Sequence, residues 1–234
     1  MKSIYEQTNL IAHRGLSSKY YENTLPAFLH ACKSEFFGIE TDIQFTGDNK
    51  IICFHDKTIR RLIGEKRKIN EIKLKELLKK TFKQRSNISQ KASVCTFSHY
   101  LKVCKKYKKH CVIEIKYKVT SKQLNEVLKK IRWIRYMKNC IIISFNPYIL
   151  KYLREKEPDL KLQLLVKNPI RRYINYCKTY KIDVSLLDRL INKEVVEKLN
   201  SNGIKVAAWT VNNKKTAQKL VNAGVSYITS DHLI

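Results

Sequence analysis

Short apolar runs recur along this chain at a spacing that leaves room for one helix between neighbours, and this alternation limits the fold more than any other feature. Eight runs read as strands: Asn9 to Ala12, Phe36 to Gln44, Cys111 to Lys116, Cys140 to Phe145, Leu160 to Val166, Ile182 to Leu187, Lys205 to Thr210 and Val225 to Thr229. Nearly all are continuously apolar rather than alternating, the pattern of strands buried on both faces of a parallel sheet. The segments between them carry helical periodicity and start signals. Leu25 to Ser34 follows Thr24 as a candidate N-cap with Pro26 in the first turn. Ser121 to Tyr136, Pro147 to Lys156, Pro169 to Tyr180, Asn192 to Ser201 and Lys214 to Asn222 continue the series. Such a βα repeat in a chain of 234 residues points to an α/β fold, a (β/α)8 TIM barrel, as one domain spanning 1–234. An open doubly wound sheet is the alternative, but no Gly-rich phosphate loop follows the first strand.

The rhythm breaks once, between the second and third strands, over approximately 57–108. Thr58-Ile59-Arg60-Arg61 leads into a basic segment and a short helix from Ile72 to Leu78. A second helix is expected from Thr96 to Tyr107, with Thr96 as its cap and Phe97, Tyr100, Leu101 and Cys104 on one face. No Gly/Pro/Ser linker flanks this part, so it reads as a small insertion on the barrel.

Charge is the unusual feature of the composition: 47 Lys and Arg against 20 Asp and Glu give +27. Such a balance favours phosphorylated substrates, an anionic membrane surface or nucleic acid as partners. The lysines are scattered in pairs such as Lys79-Lys80, Lys129-Lys130 and Lys214-Lys215, on expected polar helix faces. Abundant Lys, Ile, Asn and Tyr also match the bias of an AT-rich genome. Solvated surface therefore accounts for most of the excess, and a nucleic-acid site is disfavoured. Seven cysteines form no C-x-x-C pair and sit mostly in apolar runs, as reduced thiols of a reducing compartment do. The N-terminus M-K-S-I-Y-E-Q-T-N-L lacks the apolar core of a secretion signal, and no apolar run approaches the roughly 20 residues of a membrane span. The expectation is a soluble cytoplasmic protein, with peripheral contact to an anionic membrane left open.

The chemistry of a barrel lies at the carboxyl ends of its strands, and the polar residues of these apolar runs gather there. His13-Arg14 ends the first strand, Glu40 and Asp42 the second, Glu114 and Lys116 the third. Phe145 ends the fourth, Trp209 the seventh, and Asp231 follows the eighth. His55 comes after a further apolar run, Ile51 to Phe54, in the region above the second strand. Glu40 and Asp42, two apart on a strand, leave the same face and repel unless a cation lies between them. Glu114, within V-I-E-I-K, would be buried without a partner. Three carboxylates suit a divalent cation, Ca2+ or Mg2+, and no Cys/His set suggests zinc. His13 and His55 form a natural acid–base pair whose individual roles stay open. Arg14 and Lys116 add fixed positive charge for an anionic substrate, most simply a phosphate. Phosphodiester cleavage uses this combination. Asp56 either orients His55 or caps its loop, while His30, His99, His110, His232 and Trp133 read as packing or surface residues.

With these residues in place, the chain resembles the glycerophosphodiester phosphodiesterases over essentially its whole length. The matching motifs are H-R-G at 13–15, E-N-T at 22–24, E-T-D at 40–42, H-D at 55–56 and I-E-I-K at 113–116. They continue with S-F-N-P at 144–147, A-W-T-V-N at 208–212 and G-V-S-Y-I-T-S-D at 224–231. The resemblance implies a (β/α)8 barrel hydrolysing a small-molecule or lipid-derived glycerophosphodiester to glycerol 3-phosphate and an alcohol with a divalent cation. It implies His13 and His55 as the catalytic pair, Glu40, Asp42 and Glu114 as metal ligands, Arg14 and Lys116 on the phosphate, and Phe145 and Trp209 lining the substrate pocket. It also implies the insertion after His55. The final motif departs from the family pattern: Ser230 stands between Thr229 and Asp231 and no proline follows, which leaves the register of the eighth strand open. Two competing readings are a lysophospholipase D-type enzyme at a membrane surface and a nucleic-acid-binding barrel without activity; the complete His and carboxylate set argues against the latter.

Overall fold

Parallel strands buried on both faces need helices on the outside and a closed ring to leave no edge, and the chain meets both demands. The structure, a computed structural model, describes residues 4–86, 88, 90–168 and 170–232. Its strands are β1 (Asn9–Ala12), β2 (Gly38–Phe45), β3 (Ile51–Cys53), β4 (Cys95–Thr96), β5 (His110–Ile115), β6 (Cys140–Ser144), β7 (Lys161–Val166), β8 (Asp183–Leu187), β9 (Val206–Trp209) and β10 (Tyr227–Ser230). Eight of them close a parallel ring in the order β1, β2, β5, β6, β7, β8, β9, β10 and back to β1. The helices are α1 (Ile4–Gln7), α2 (Leu25–Cys32), α3 (Leu74–Leu77), α4 (Phe97–Lys106), α5 (Ser121–Ile134), α6 (Pro147–Lys156), α7 (Ile174–Tyr180), α8 (Lys193–Asn200) and α9 (Lys214–Asn222).

Two apolar layers follow from the strand period of two. Ile11, Val112, Ile141, Ile143, Leu165, Ala207 and Tyr227 fill the ring. The alternate residues, among them Leu10, Ile39, Ile113 and Ile142, pack outward against helix residues such as Phe28, Tyr100 and Leu128. All seven cysteines are buried free thiols that pack in these layers, and burial pushes the Cys104 and Cys111 thiols well up. No described helix is long and apolar enough to cross a membrane.

The second strand behaves differently from the rest. Its first residues pair with β1 (Ile11 with Gly38, Ala12 with Ile39), but β2 continues past the end of β1. There β3 takes over the same edge in antiparallel register, Ile43 with Cys53 and Phe45 with Ile51, and β4 adds to β3. The apolar pattern does not announce this ribbon: its strands are too short to show a period. The segment after it builds its own apolar cluster from Ile59, Leu62, Ile69, Ile72, Leu77, Phe82 and Val94 around Ile52 and Phe54 of the ribbon edge. The helix α4 then packs on α2 through the Phe28–Tyr100 ring contact, at the station of a barrel helix.

Differences from the sequence expectations lie at element ends. Thr24 occupies the N-cap position of α2 but does not cap with its side chain, which donates to the Tyr21 carbonyl at 2.5 Å. Thr96 does cap α4, accepting from His99 N–H. The expected start of a helix at Pro169 lies outside the described residues; Ile170–Tyr173 is a 3-10 turn leading into α7. The eighth strand begins two residues later than expected and ends one later, at Tyr227–Ser230, because its pairing with β1 runs from Asn9 with Tyr227 to Ala12 with Ser230.

The turn after β1 sets the site against the barrel. Arg14 and Gly15 both adopt left-handed backbone, at φ 55 and 80. A Cβ on Gly15 would lie 2.7 Å from the backbone carbon of Ala27 in α2. Gly15→Ala is therefore expected to lower unfolding free energy by about 2 kcal/mol or more, through strain and collision together, measured by urea denaturation; an unchanged midpoint would contradict this account.

Candidate active site

Residues 40, 42 and 114 place three acids on two adjacent strands of the ring. Alternation along β2 sends Glu40 and Asp42 to one face, and parallel pairing sets Asp42 directly beside Glu114 on β5. One carboxylate oxygen from each of Glu40, Asp42 and Glu114 lies within 4.8 Å of the others. Asp42 is 1% exposed, and its Oδ1 and the Oε1 of Glu114 are buried without a hydrogen-bond partner among the described residues. Burial, with the neighbouring carboxylates Asp42 and Glu114, drives Glu40 well above the usual carboxylate range. Glu114 is pushed up to about 8 by burial and then by Asp42. An all-oxygen donor set with two orphaned oxygens fits a hard divalent cation, and these three residues would hold it.

The cations sit against this cluster. Left-handed backbone at Arg14 turns its N–H onto Glu40 Oε2 at 2.8 Å. Its guanidinium donates to Glu22 at 2.9 Å and approaches Asp42 Oδ2 at 3.3 Å. Burial works to lower the Arg14 pKa, but Asp42, Glu40 and Glu22 outweigh it and hold the group charged. Lys116 Nζ lies 3.9 Å from Asp42 Oδ1 and contacts His55 Nε2. The E-N-T motif resolves into separate tasks. Asn23 donates to Asp42 Oδ2 at 2.9 Å and accepts from Thr41 Oγ1 at 2.7 Å, so it orients one of the three clustered acids. Glu22 ties Arg14 to Arg61.

Both histidines are held the same way. His13 Nδ1 lies 2.7 Å from Asp231 Oδ1 and His55 Nδ1 lies 2.6 Å from Asp56 Oδ1. A carboxylate at these distances accepts, so in each ring Nδ1 carries the hydrogen and Nε2 is left for chemistry. Asp231 is itself clamped by Asn212 at 2.6 Å and Ser17 at 3.1 Å. Burial would raise Asp231, but the bonds from His13 and Asn212 hold it far below the usual carboxylate range. The extra Ser230 extends β10 beside β1, and Asp231 thereby comes level with His13. Asp56 orients His55 and is held by Arg61, whose guanidinium donates to it at 2.6 Å and to Glu22 at 2.7 Å. Burial lowers the His55 pKa, against the pull of Asp42 and Asp56.

These groups open on a cavity of about 160 Å³ lined by His13, Arg14, Glu40, His55, Glu114 and Lys116 on one side and Phe145, Lys167, Ser185 and Trp209 on the other. Asp42, buried beside Glu114, does not line it. A larger hollow of about 400 Å³ beside the outer half of β2 holds none of the three acids or two histidines. Phe145 and Trp209 meet edge to face at 5.7 Å, and the indole N–H is fixed on the Ser185 carbonyl at 3.0 Å. Of the other histidines, His30 stacks on Tyr20 and His110 on Phe37, away from this cavity; His232 borders a neighbouring hollow that also reaches His13. Sequence reasoning gave no role to Asp231, Asn212, Asn23, Arg61 or Lys167. The first three lie in motifs that stand out in the chain, whereas Arg61 is one of many basic residues in an irregular segment.

The cluster predicts linkage between protons and cation. With Glu114 near 8 in the folded protein and about 4.3 in an unfolded chain, the cation-free fold binds a proton that the unfolded chain has released. Its stability falls as pH rises between these values, and a divalent ion restores it. The rise in melting temperature on adding Ca2+ or Mg2+ to EDTA-treated protein is expected to be larger at pH 8 than at pH 6; a gain independent of pH would remove Glu114 from the ligand set.

Comparison with known proteins agrees with this geometry. Residues 13–234 match the glycerophosphoryl diester phosphodiesterase family. A glycerophosphodiester phosphodiesterase of Caldanaerobacter subterraneus is 28% identical over 234 residues, covering 96% of this chain and 94% of the relative. One from Bacillus altitudinis is 26% identical, covering 96% and 94%. Among solved structures, an Oleispira antarctica phosphodiesterase in complex with the product sn-glycerol-3-phosphate superposes with a TM-score of 0.85 at 22% identity, over 99% of this chain and 96% of that one.

Proposed function

Because the chain belongs to the glycerophosphoryl diester phosphodiesterase family, we propose that it hydrolyses glycerophosphodiesters to glycerol 3-phosphate and an alcohol, with His13 and His55 as the acid–base pair. One observation carries this reading: three clustered acids, two of them with an orphaned buried oxygen, and two imidazoles, each oriented by its own carboxylate, meet at one cavity. The product-bound Oleispira enzyme, of the same fold, supports glycerol 3-phosphate as the product.

Glu40, Asp42 and Glu114 would hold the divalent cation, which when bound supplies Lewis-acid neutralisation of the phosphoryl oxygens. Arg14 and Lys116 place two further positive charges beside that point, where they favour the extra negative charge that develops as phosphorus is attacked. Lys116 contacts His55 Nε2 in the free protein. An arriving phosphate offers the ammonium a better acceptor, and its transfer frees that nitrogen for proton exchange. His13, following β1, and His55, following β3, come from strands that share one edge of β2, the strand that carries Glu40 and Asp42, and both rings line one cavity. This arrangement suits removal of a proton from the attacking oxygen by one ring and delivery of a proton to the leaving oxygen by the other. Asp231 and Asp56 keep the Nδ1–H tautomer and stabilise each imidazolium as it forms. Phe145 and Trp209 would form the apolar wall against which the substrate lies. We read residues 57–108 as an elaboration of one barrel domain, since its apolar cluster is completed by Ile52, Phe54 and Tyr21.

Release of glycerol 3-phosphate from a set of glycerophosphodiesters is the direct assay. EDTA is expected to abolish it, and His13→Ala to slow it by roughly 10²- to 10⁴-fold; metal-independent turnover, or a His13→Ala variant as fast as wild type, would sink the mechanism. Asp231→Asn keeps the shape but lets His13 adopt the other tautomer. A loss of roughly 10²-fold or more in kcat is expected, with the fold kept and the melting temperature lowered by loss of the ionised clamp; wild-type kcat in this variant would deny Asp231 its orienting part.

A further inference from the structure

An edge-to-face aromatic pair at a cavity mouth is an arrangement that attracts organic cations such as choline. In this chain that place is already taken. Lys167 Nζ lies 4.8 Å from the centre of the Phe145 ring and 5.8 Å from that of Trp209. Lys167 directly follows β7, the strand opposite β1 in the ring, so the barrel frame brings it across the cavity from His13 and Arg14. Its charge is also unlike the other two in the cavity. Arg14 and Lys116 both lie against Asp42, whereas Lys167 has no carboxylate within ion-pair distance among the described residues.

The cavity size says which part of a substrate meets this lysine. About 160 Å³ has room for a phosphoryl group and one small alcohol, so the variable end of a diester must lie at the mouth, towards the exposed Lys167. We propose that Lys167 sets the charge preference for that end, disfavouring cationic head groups of the choline type and favouring head groups that carry an anion. A quaternary ammonium entering here would have to displace the lysine from both rings and remain near a like charge. A phosphorylated or carboxylated head group would find an unopposed ammonium. This inference rests on the phosphodiesterase reading of the same site.

The test compares glycerophosphocholine with its neutral isostere, the 3,3-dimethylbutyl ester, and with glycerophosphoinositol 4-phosphate. Values of kcat/KM are measured for wild type and Lys167→Met. Wild type is expected to favour the neutral isostere over choline by roughly tenfold. In Lys167→Met that ratio should vanish or reverse, and the anionic substrate should lose roughly tenfold relative to the isostere. A ratio untouched by the substitution overturns the proposal, and so does an equal slowing of all three substrates, which would make Lys167 a ligand of the scissile phosphate. Failure of wild type to hydrolyse any of them would defeat the phosphodiesterase reading instead. The charge preference is then decided by binding. In a Trp133→Phe background, which removes an indole 69% exposed on α5, Trp209 is the sole tryptophan. Choline titrated against its fluorescence should bind at least about tenfold more tightly when Lys167 is Met; equal affinity overturns the proposal.

Discussion

Three carboxylates held within 4.8 Å of one another on adjacent strands are the interaction on which the site depends. At an effective dielectric constant near 20, each ionised pair at that distance opposes the other by about 3 kcal/mol. Part of this is offset by Arg14, whose backbone meets Glu40 and whose side chain lies against Asp42, and part by Lys116. Burial first, and then the remainder of this repulsion, raises the Glu40 and Glu114 carboxyls. A divalent cation relieves the same repulsion without a proton.

The second constraint is geometric. A barrel strand must stop where its neighbours stop unless another strand takes over the exposed edge. β2 runs on beyond β1, and β3 covers the freed edge, which delivers His55 back over the carboxylates. The turn after β1 delivers His13 to the same rim. Arg61 then ties the two turns together: Glu22, which holds Arg14, and Asp56, which holds His55, both accept from one guanidinium. The elaborated segment between β3 and β4 thus supplies a polar clamp for the catalytic rim as well as an apolar cluster.

Much of this is legible from residue types and spacing, for identifiable reasons. Continuous apolar runs betray buried parallel strands, and a charged residue inside such a run has to be explained; that is why Glu114 stands out. Pairs two apart on a strand share a face whatever the fold, so spacing alone joins Glu40 to Asp42. Sequence fails as a guide where the determinant is not local. β3 and β4 are too short to show a period. Thr24 has the residue type of a cap, yet its hydroxyl finds the Tyr21 carbonyl instead. Asp231 is recognisable in the chain as a rim residue but without a task, because the Ser230 insertion leaves its register ambiguous and only pairing with β1 resolves it.

The chain by itself determined the class of fold, the oxygen-rich set of acids, the two histidines and the basic residues beside them. These follow from side-chain chemistry and short-range periodicity, which are written in neighbouring residues. Only the tertiary structure decided that Asp231 serves His13, that Asn23 and Asn212 hold the acids in place, that Arg61 spans the rim, and that Lys167 rests on Phe145 and Trp209. Each of those contacts joins segments distant in the chain, and which distant residues meet is decided by strand register and ring closure.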